Sequence, residues 1–279
     1  MKTTTRIALL LASVCFAGNP MLAATSSFTN LKGNPGLRSA SALVTDSSGN
    51  VIYGKDIDVV RPIASITKLM TAMVVLDAGQ DLDEKITITK ADRDTVQLTG
   101  SRLEYGATLT RREMILLAIM SSENRAASVL GRNWPGGLTA FVTRMNNKAA
   151  ELNMKSSHFA DPAGLNPNNT STASDLAKMI VAAYNYPLIR QASTTTRMEV
   201  RPWPNRGPLA YGNTNRLLKN QSWDIALSKT GYINEAGRCL VMRAIIEGEP
   251  VSIVLLNSFG KLTPFGDSNR LRKWMLAQQ

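Results

Sequence analysis

Residues 65–78 carry only two charges, Lys68 and Asp77, and the stretch 69–76 is apolar apart from Thr71. That pattern predicts a helix with no polar face, which belongs in the interior of the molecule. Pro62 just ahead of it marks the entry. Upstream, two strand-like runs at 41–45 and 51–55 flank Asp46-Ser47-Ser48-Gly49-Asn50, the composition of a hairpin turn. From Gln80 to about Ser174 the pattern turns polar and helical, with segments at 110–120, 122–132 and 138–152 separated by Gly and Pro signals. Strand-like runs return at 224–230, 238–246 and 251–256, and a helix over 267–276 closes the chain. On the first of these runs, period two predicts that Ile225, Leu227 and Lys229 share one face. A lysine continuing an apolar face is unusual. The element order predicts an α/β fold: an antiparallel sheet flanked by helices, interrupted by a helical subdomain over 80–174.

The N-terminus has a different character. Lys2 and Arg6 precede an apolar run over 7–17, and Asn19-Pro20 leads to Met21-Leu22-Ala23-Ala24. This is the pattern of a secretory signal peptide, residues 1–24, cleaved near Ala23 or Ala24. The run is far short of the roughly 20 residues needed to span a bilayer, so we expect an exported protein with no stable membrane anchor after cleavage. Residues 25–40, rich in Ser, Thr, Asn and Gly, are expected to form a flexible lead-in to a single domain over 41–279.

Composition narrows the chemistry. The chain has 279 residues, 44% hydrophobic and 19% charged, so neither a disordered nor a collagen-like protein fits. His158 is its single histidine, which excludes any site needing two His ligands and leaves at most one His for a triad. It is expected to be a structural residue of a loop, and we expect no cofactor and no metal. Of two cysteines, Cys15 leaves with the signal peptide, so Cys239 has no intramolecular partner. Its strand-like setting predicts a buried small hydrophobe. There are 32 Lys and Arg against 21 Asp and Glu, a net charge of +11. The cations are scattered, aromatics are 6% and the chain is read as exported, so an anionic cell wall or envelope surface suits this charge and nucleic acid does not.

Three clusters can carry chemistry. Ser65 and Lys68 stand three residues apart on the buried helix, hence on one face, where the amine can take the hydroxyl proton. Burial favours the neutral amine that a base must be. Ser122 and Asn124 project a hydroxyl and an amide from a turn after an apolar helix. Lys229-Thr230-Gly231 ends a strand, with a bare backbone at Gly231 that lets a ligand strand approach. Singly these patterns are common: Ser258 and Lys261 form a second Ser-x-x-Lys, and Ser48 and Asn50 a second Ser-x-Asn. Their order along the chain is what distinguishes the three.

That ordered set, Ser-x-x-Lys, Ser-x-Asn and Lys-Thr-Gly, is shared by β-lactamases and penicillin-binding proteins. Arg61-Pro62-Ile63-Ala64-Ser65-Ile66-Thr67-Lys68, Met120-Ser121-Ser122-Glu123-Asn124-Arg125 and Asp161-Pro162-Ala163-Gly164-Leu165 resemble the low-molecular-mass penicillin-binding proteins, the D-alanyl-D-alanine peptidases of serine peptidase family S11. The resemblance runs from about Ser41 to Trp274 and implies a β-lactamase/transpeptidase-like fold. It implies Ser65 as acylated nucleophile and Lys68 as its base, with Ser122, Asn124 and Lys229 shuttling protons and orienting the peptide. The Ser65 and Tyr232 backbone N–H groups would form the oxyanion hole, and Lys229, Thr230, Gly231 and Tyr232 would bind substrate. One departure is Ile233, where many relatives have Thr.

The function implied is a periplasmic serine DD-endopeptidase acting on peptidoglycan peptide stems and inhibited covalently by β-lactam antibiotics. The alternatives are a DD-carboxypeptidase of the same family, a class A β-lactamase and a non-catalytic wall-binding protein. A class A β-lactamase needs a Glu typically three residues before a Leu-Asn pair; Leu165-Asn166 exists, but the corresponding position is Pro162. Carboxypeptidase relatives read a free D-Ala carboxylate with an Arg after the last strand, whereas 257–267 holds no Arg and only Lys261 as a cation. Endopeptidase activity is therefore expected to exceed carboxypeptidase activity.

Overall fold

The computed structural model describes residues 27–277; the signal peptide expected over 1–24 lies outside them. A five-stranded antiparallel sheet forms the centre, built from β1 (Ser39–Thr45), β2 (Val51–Lys55), β9 (Asp224–Ile233), β10 (Gly237–Ile246) and β11 (Glu249–Ser258) in the order β2-β1-β11-β10-β9. Three small antiparallel pairs complete the strands: β3 (Arg61–Pro62) with β6 (Thr170–Ser171), β4 (Lys85–Thr87) with β5 (Thr108–Thr110), and β7 (Arg197–Val200) with β8 (Leu209–Gly212). The β1–β2 turn closes on the Asp46 carboxylate, which accepts from the Ser48 and Asn50 N–H groups at 2.8 Å each.

Alternation along the strands divides the interior in two. Leu43, Val241, Val254 and Leu256 face the helical side, while Ala42, Val44, Met242, Ile253 and Leu255 face the other. The first face is covered by α5 (Ala173–Tyr184), with α1 (Thr67–Asp77) packed in the same core, and the second by α7 (Thr263–Leu276) through Leu271 and Met275. Helix α1 is buried from Thr67 to Val75 on every side, as its lack of a polar face requires. The helical subdomain comprises α2 (Arg111–Met120), α3 (Asn124–Arg132) and α4 (Gly137–Glu151). Helix α2 starts at a capping box in which Thr110 and Glu113 satisfy each other's backbone N–H.

Four expectations change. In its described part the lead-in is packed: Phe28 is 1% exposed and, with Leu37, joins the core under α7, while Trp274 Nε1 donates to the Lys32 carbonyl. An apolar ring in a Ser/Asn-rich segment is enough to dock it, at roughly 25 cal/mol per Å² of buried apolar surface. Strand β1 also begins at Ser39, where the buried Asp267 carboxylate accepts from the Ser39 N–H. Ile225 and Leu227 do not share a face, because a β-bulge against β10 pairs Leu227 with Arg243 but Ile225 with Ala244. Leu227 enters the core on the α1 side and Ile225 the one under α7. Finally, α7 starts at Thr263, and the hydrophobic pattern marks no elements over 175–223 although α5 continues there, followed by α6 (Pro187–Thr194), β7 and β8. Helix α6 lies against β9, with Ser228 Oγ of that strand donating to the Ser193 carbonyl. The first half of the edge strand is thus covered, and the part around Gly231 fronts a cleft.

Candidate active site

The cleft, about 750 Å³, lies between the helical subdomain and β9, and is lined by Ser65, Ser122, Asn124, Thr230, Gly231 and Tyr232 among others. Ser65 sits on a 3-10 turn, Ala64–Ile66, immediately before α1, with Ala64 held at φ 48°. That turn is anchored from behind by the β3–β6 pairing and by the Ile63 N–H donating to the Asn169 carbonyl at 3.0 Å. One turn on, Lys68 is fully buried. Its Nζ lies 2.7 Å from Ser65 Oγ, 2.8 Å from Asn124 Oδ1 and 2.6 Å from the Ala163 carbonyl oxygen.

These three contacts suit a neutral amine. Two N–H protons satisfy the two oxygens that can only accept, Asn124 Oδ1 and Ala163 O, leaving the nitrogen lone pair for the Ser65 hydroxyl proton. Burial lowers the Lys68 pKa to about 7, against the opposing pull of Asp161, Glu123 and Asp94. The amine is then poised near neutrality to accept a proton.

Ser122 stands between α2 and α3 at φ 60°, and its Oγ accepts from Lys229 Nζ at 2.9 Å. Lys229 also donates to the Thr230 carbonyl at 2.9 Å. Its pKa is held well below the usual lysine value by burial and then by the neighbouring Lys68. Two buried amines therefore face the Ser65 and Ser122 hydroxyls, and burial opposes the charged form of each. Asn124 is oriented through its other end, Nδ2 donating to Thr99 Oγ1 at 2.9 Å, while Thr99 Oγ1 donates to Asp94 Oδ2 at 2.7 Å.

Gly231 faces the serine turn closely. A Cβ there would stand 2.9 Å from the Ile63 carbonyl oxygen and 3.1 Å from the Ser65 nitrogen. Only a bare backbone brings the strand this near to the Ser65 N–H, one of the two expected oxyanion donors; Tyr232, carrier of the other, is the next residue. Thr230 Oγ1 donates to Thr214 Oγ1 at 2.6 Å.

All eight residues singled out from sequence, Ser65, Lys68, Ser122, Asn124, Lys229, Thr230, Gly231 and Tyr232, are placed around this cleft. Sequence reasoning assigned no role to the loop that supplies the Ala163 carbonyl. The Asp161 carboxylate organises that loop, accepting from the Ala163, Gly164 and Asn166 N–H groups at 2.6 Å each. Gly164, at φ 73°, passes so close to the serine turn that a Cβ would lie 2.0 Å from the Ala64 carbonyl oxygen. An Asp followed by Pro-x-Gly is the readable signal of such an Asx-anchored turn. The Asp94–Thr99 pair had no such signal.

His158 pairs with Thr170 in an isolated bridge and its Nδ1 lies 3.1 Å from the Asn168 carbonyl, as a loop residue would. Cys239 is buried on β10, and burial pushes its thiol up to about 11. Ile233 is buried in the core on the α1 side, so no polar group stands there. The stretch 257–267 holds no Arg, as read from sequence, but the sheet and the turn 216–219 bring Arg238 and Arg216 into the same cleft as Lys261. Among the described residues, no group of three or more His, Cys, Asp or Glu is arranged to hold a metal ion.

The family described as D-alanyl-D-alanine carboxypeptidase matches residues 29–260. The chain is 50% identical over 240 residues to a D-alanyl-D-alanine endopeptidase of Pseudomonas aeruginosa, covering 86% of this chain and 77% of that protein. It is 45% identical over 271 residues to a D-alanyl-D-alanine endopeptidase of Escherichia coli, covering 96% and 86%. Among solved structures it is similar to the Streptomyces K15 DD-transpeptidase, with a TM-score of 0.81 and 27% identity over 88% of this chain and 100% of that one.

Proposed function

The chain belongs to the D-alanyl-D-alanine carboxypeptidase family of serine peptidases, and from that membership we propose a serine DD-endopeptidase that hydrolyses D-alanyl cross-links of peptidoglycan through an acyl-enzyme on Ser65. The observation that carries the assignment is the 2.7 Å contact between Ser65 Oγ and an amine that burial holds near neutrality. Ser65 Oγ attacks the D-alanyl carbonyl as Lys68 Nζ takes its proton. The new Oγ–C bond pushes charge onto the carbonyl oxygen, which accepts hydrogen bonds from the Ser65 and Tyr232 N–H groups. Collapse breaks the C–N bond, and the leaving amine takes a proton from the Lys68, Ser122 and Lys229 relay. Water then cleaves the ester, and Lys68 serves again as base.

Penicillins form the same ester from their strained amide, but their leaving amine stays tethered in the adduct. This accounts for covalent inhibition. Rapid turnover of the penicillin ester is disfavoured because position 162 is proline and the adjacent Asp161 carboxylate is engaged by backbone N–H groups. The leader pattern of Lys2, Arg6, the apolar run over 7–17 and Ala23-Ala24 supports export to the periplasm, where peptidoglycan is reached. No helix among the described residues is long and apolar enough to cross a membrane.

The test compares kcat/KM on purified cross-linked muropeptide dimers and on monomeric pentapeptides, with products identified by mass. The dimer is expected to be preferred. A clear preference for the pentapeptide makes the protein a DD-carboxypeptidase instead. Fluorescent penicillin should label the wild type and not Ser65→Ala, and a label mapping elsewhere overturns the nucleophile.

A further inference from the structure

The chemistry just described leaves four of the residues lining the cleft without a role. These are Arg216, Lys219, Arg238 and Lys261, and no carboxylate is among the residues lining the cleft. None of the four joins an ion pair among the described residues. Arg238 pairs with Tyr232 across β9 and β10, and its guanidinium carbon rests 3.6 Å from the centre of the Tyr232 ring. The ring fixes the guanidinium without neutralising it, and leaves its N–H edge available for an anion.

The number of charges points to the ligand. A carboxylate has two oxygens, which one bidentate guanidinium and a hydroxyl such as that of Thr230 already engage. Four unpaired cations around one cavity repel one another, and anions of matching number relieve that repulsion best. A leaving D-alanine offers one carboxylate. The leaving half of a cross-link is a peptide that carries several.

We propose that Lys219 and Arg238, together with Arg216 and Lys261, bind a second carboxylate on the leaving side of the scissile bond, so that the preferred leaving group is a peptide with at least two free carboxylates. This rests on the endopeptidase reading and names the feature of the cross-link that the enzyme selects. The cations are specificity determinants for the leaving group, separate from the acylation relay.

The experiment uses two cross-linked muropeptide dimers, one with free carboxylates on the leaving half and one with those carboxylates converted to primary amides. Amidation is expected to lower wild-type kcat/KM about tenfold for each charge-assisted hydrogen bond it removes, mainly through KM. Lys219→Gln combined with Arg238→Gln should lose a similar factor on the free acid and much less on the amide, with an unchanged thermal midpoint showing intact folding. Equal losses on both dimers overturn the proposal, because a merely structural role does not depend on the substrate's charge. Equilibrium binding of both dimers to Ser65→Ala separates the two claims. Charge-dependent binding without cleavage by wild type would sink the endopeptidase reading and keep the subsite. Cleavage of both dimers with equal kcat/KM would keep the endopeptidase and remove the subsite.

Discussion

Acylation of Ser65 should rise with pH through about 7, because only the neutral Lys68 amine can take the hydroxyl proton. With its pKa lowered to about 7, roughly half of the enzyme holds the neutral amine at pH 7, about 9% at pH 6 and about 1% at pH 5. The second-order rate of labelling by fluorescent penicillin should therefore fall about fivefold from pH 7 to 6 and about ninefold more from 6 to 5. An unperturbed lysine would still be climbing near pH 10. The carboxylates that raise the Lys68 pKa, Asp161, Glu123 and Asp94, provide the second half of the experiment. Glu123→Gln keeps an oxygen for its contacts with Ser101 Oγ and the Arg125 N–H but removes the charge. The acid limb of its profile should move to lower pH. Stopped-flow labelling between pH 5 and 9, with fold checked by circular dichroism at each pH, gives both curves. A wild-type rate flat across this range would refute a base titrating near 7. A Glu123→Gln limb displaced to higher pH would refute the electrostatic account of it.

Lys68→Arg should abolish penicillin labelling although it keeps the positive charge, since a guanidinium stays protonated and has no lone pair to offer; near-normal labelling would mean another base. The same burial bears on stability. The unfolded Lys68 holds its proton up to about 10.5 and the folded one only to about 7, so the unfolded state binds more protons between these values and stability rises with pH there, by up to about 1.4 kcal/mol per unit. Chemical denaturation at pH 7, 8 and 9 should show a shallower rise in Lys68→Met than in the wild type, and parallel slopes would contradict the lowered pKa. Gly231→Ala places a methyl 2.9 Å from the Ile63 carbonyl oxygen and 3.1 Å from the Ser65 nitrogen. It should destabilise the fold by about 1–3 kcal/mol and reduce acylation on the order of a hundredfold by displacing β9 from the serine turn. Kinetics and a thermal melt on the same sample would test both, and full activity would show that the close approach is dispensable.

Much of this molecule is legible where the signal is local. The 69–76 apolar run predicts a buried helix, and α1 is one; the turn residues 46–50 predict the β1–β2 hairpin. The three late strands follow from runs of apolar residues that a pleated ladder can bury on both faces. Local patterns mislead where tertiary contacts override them. Phe28 and Leu37 sit in a polar segment that composition alone marks as a loop, yet the face of the sheet under α7 gives them a place to dock. The bulge between Ile225 and Leu227 is invisible in the alternation, because an unpaired Ala226 changes the phase without changing the residue types.

Sequence alone marked the candidate reacting side chains. Ser65 and Lys68 share a helix face by spacing, and the ordered appearance of Ser122, Asn124, Lys229 and Gly231 marks the family. Only the tertiary structure decided how they are held. The oxygens that fix the Lys68 amine come from Asn124, 56 residues away, and Ala163, 95 residues away. Asp94 and Thr99 orient that asparagine from a third segment. The four cations lining the cleft come from the turn 216–219, β10 and the β11–α7 connection, so their common field has no counterpart in any stretch of sequence. Spacing along a chain sets what a helix or strand can present on one face. Proton affinity and electric field depend on distance and burial in space, and these exist only once distant segments are packed together.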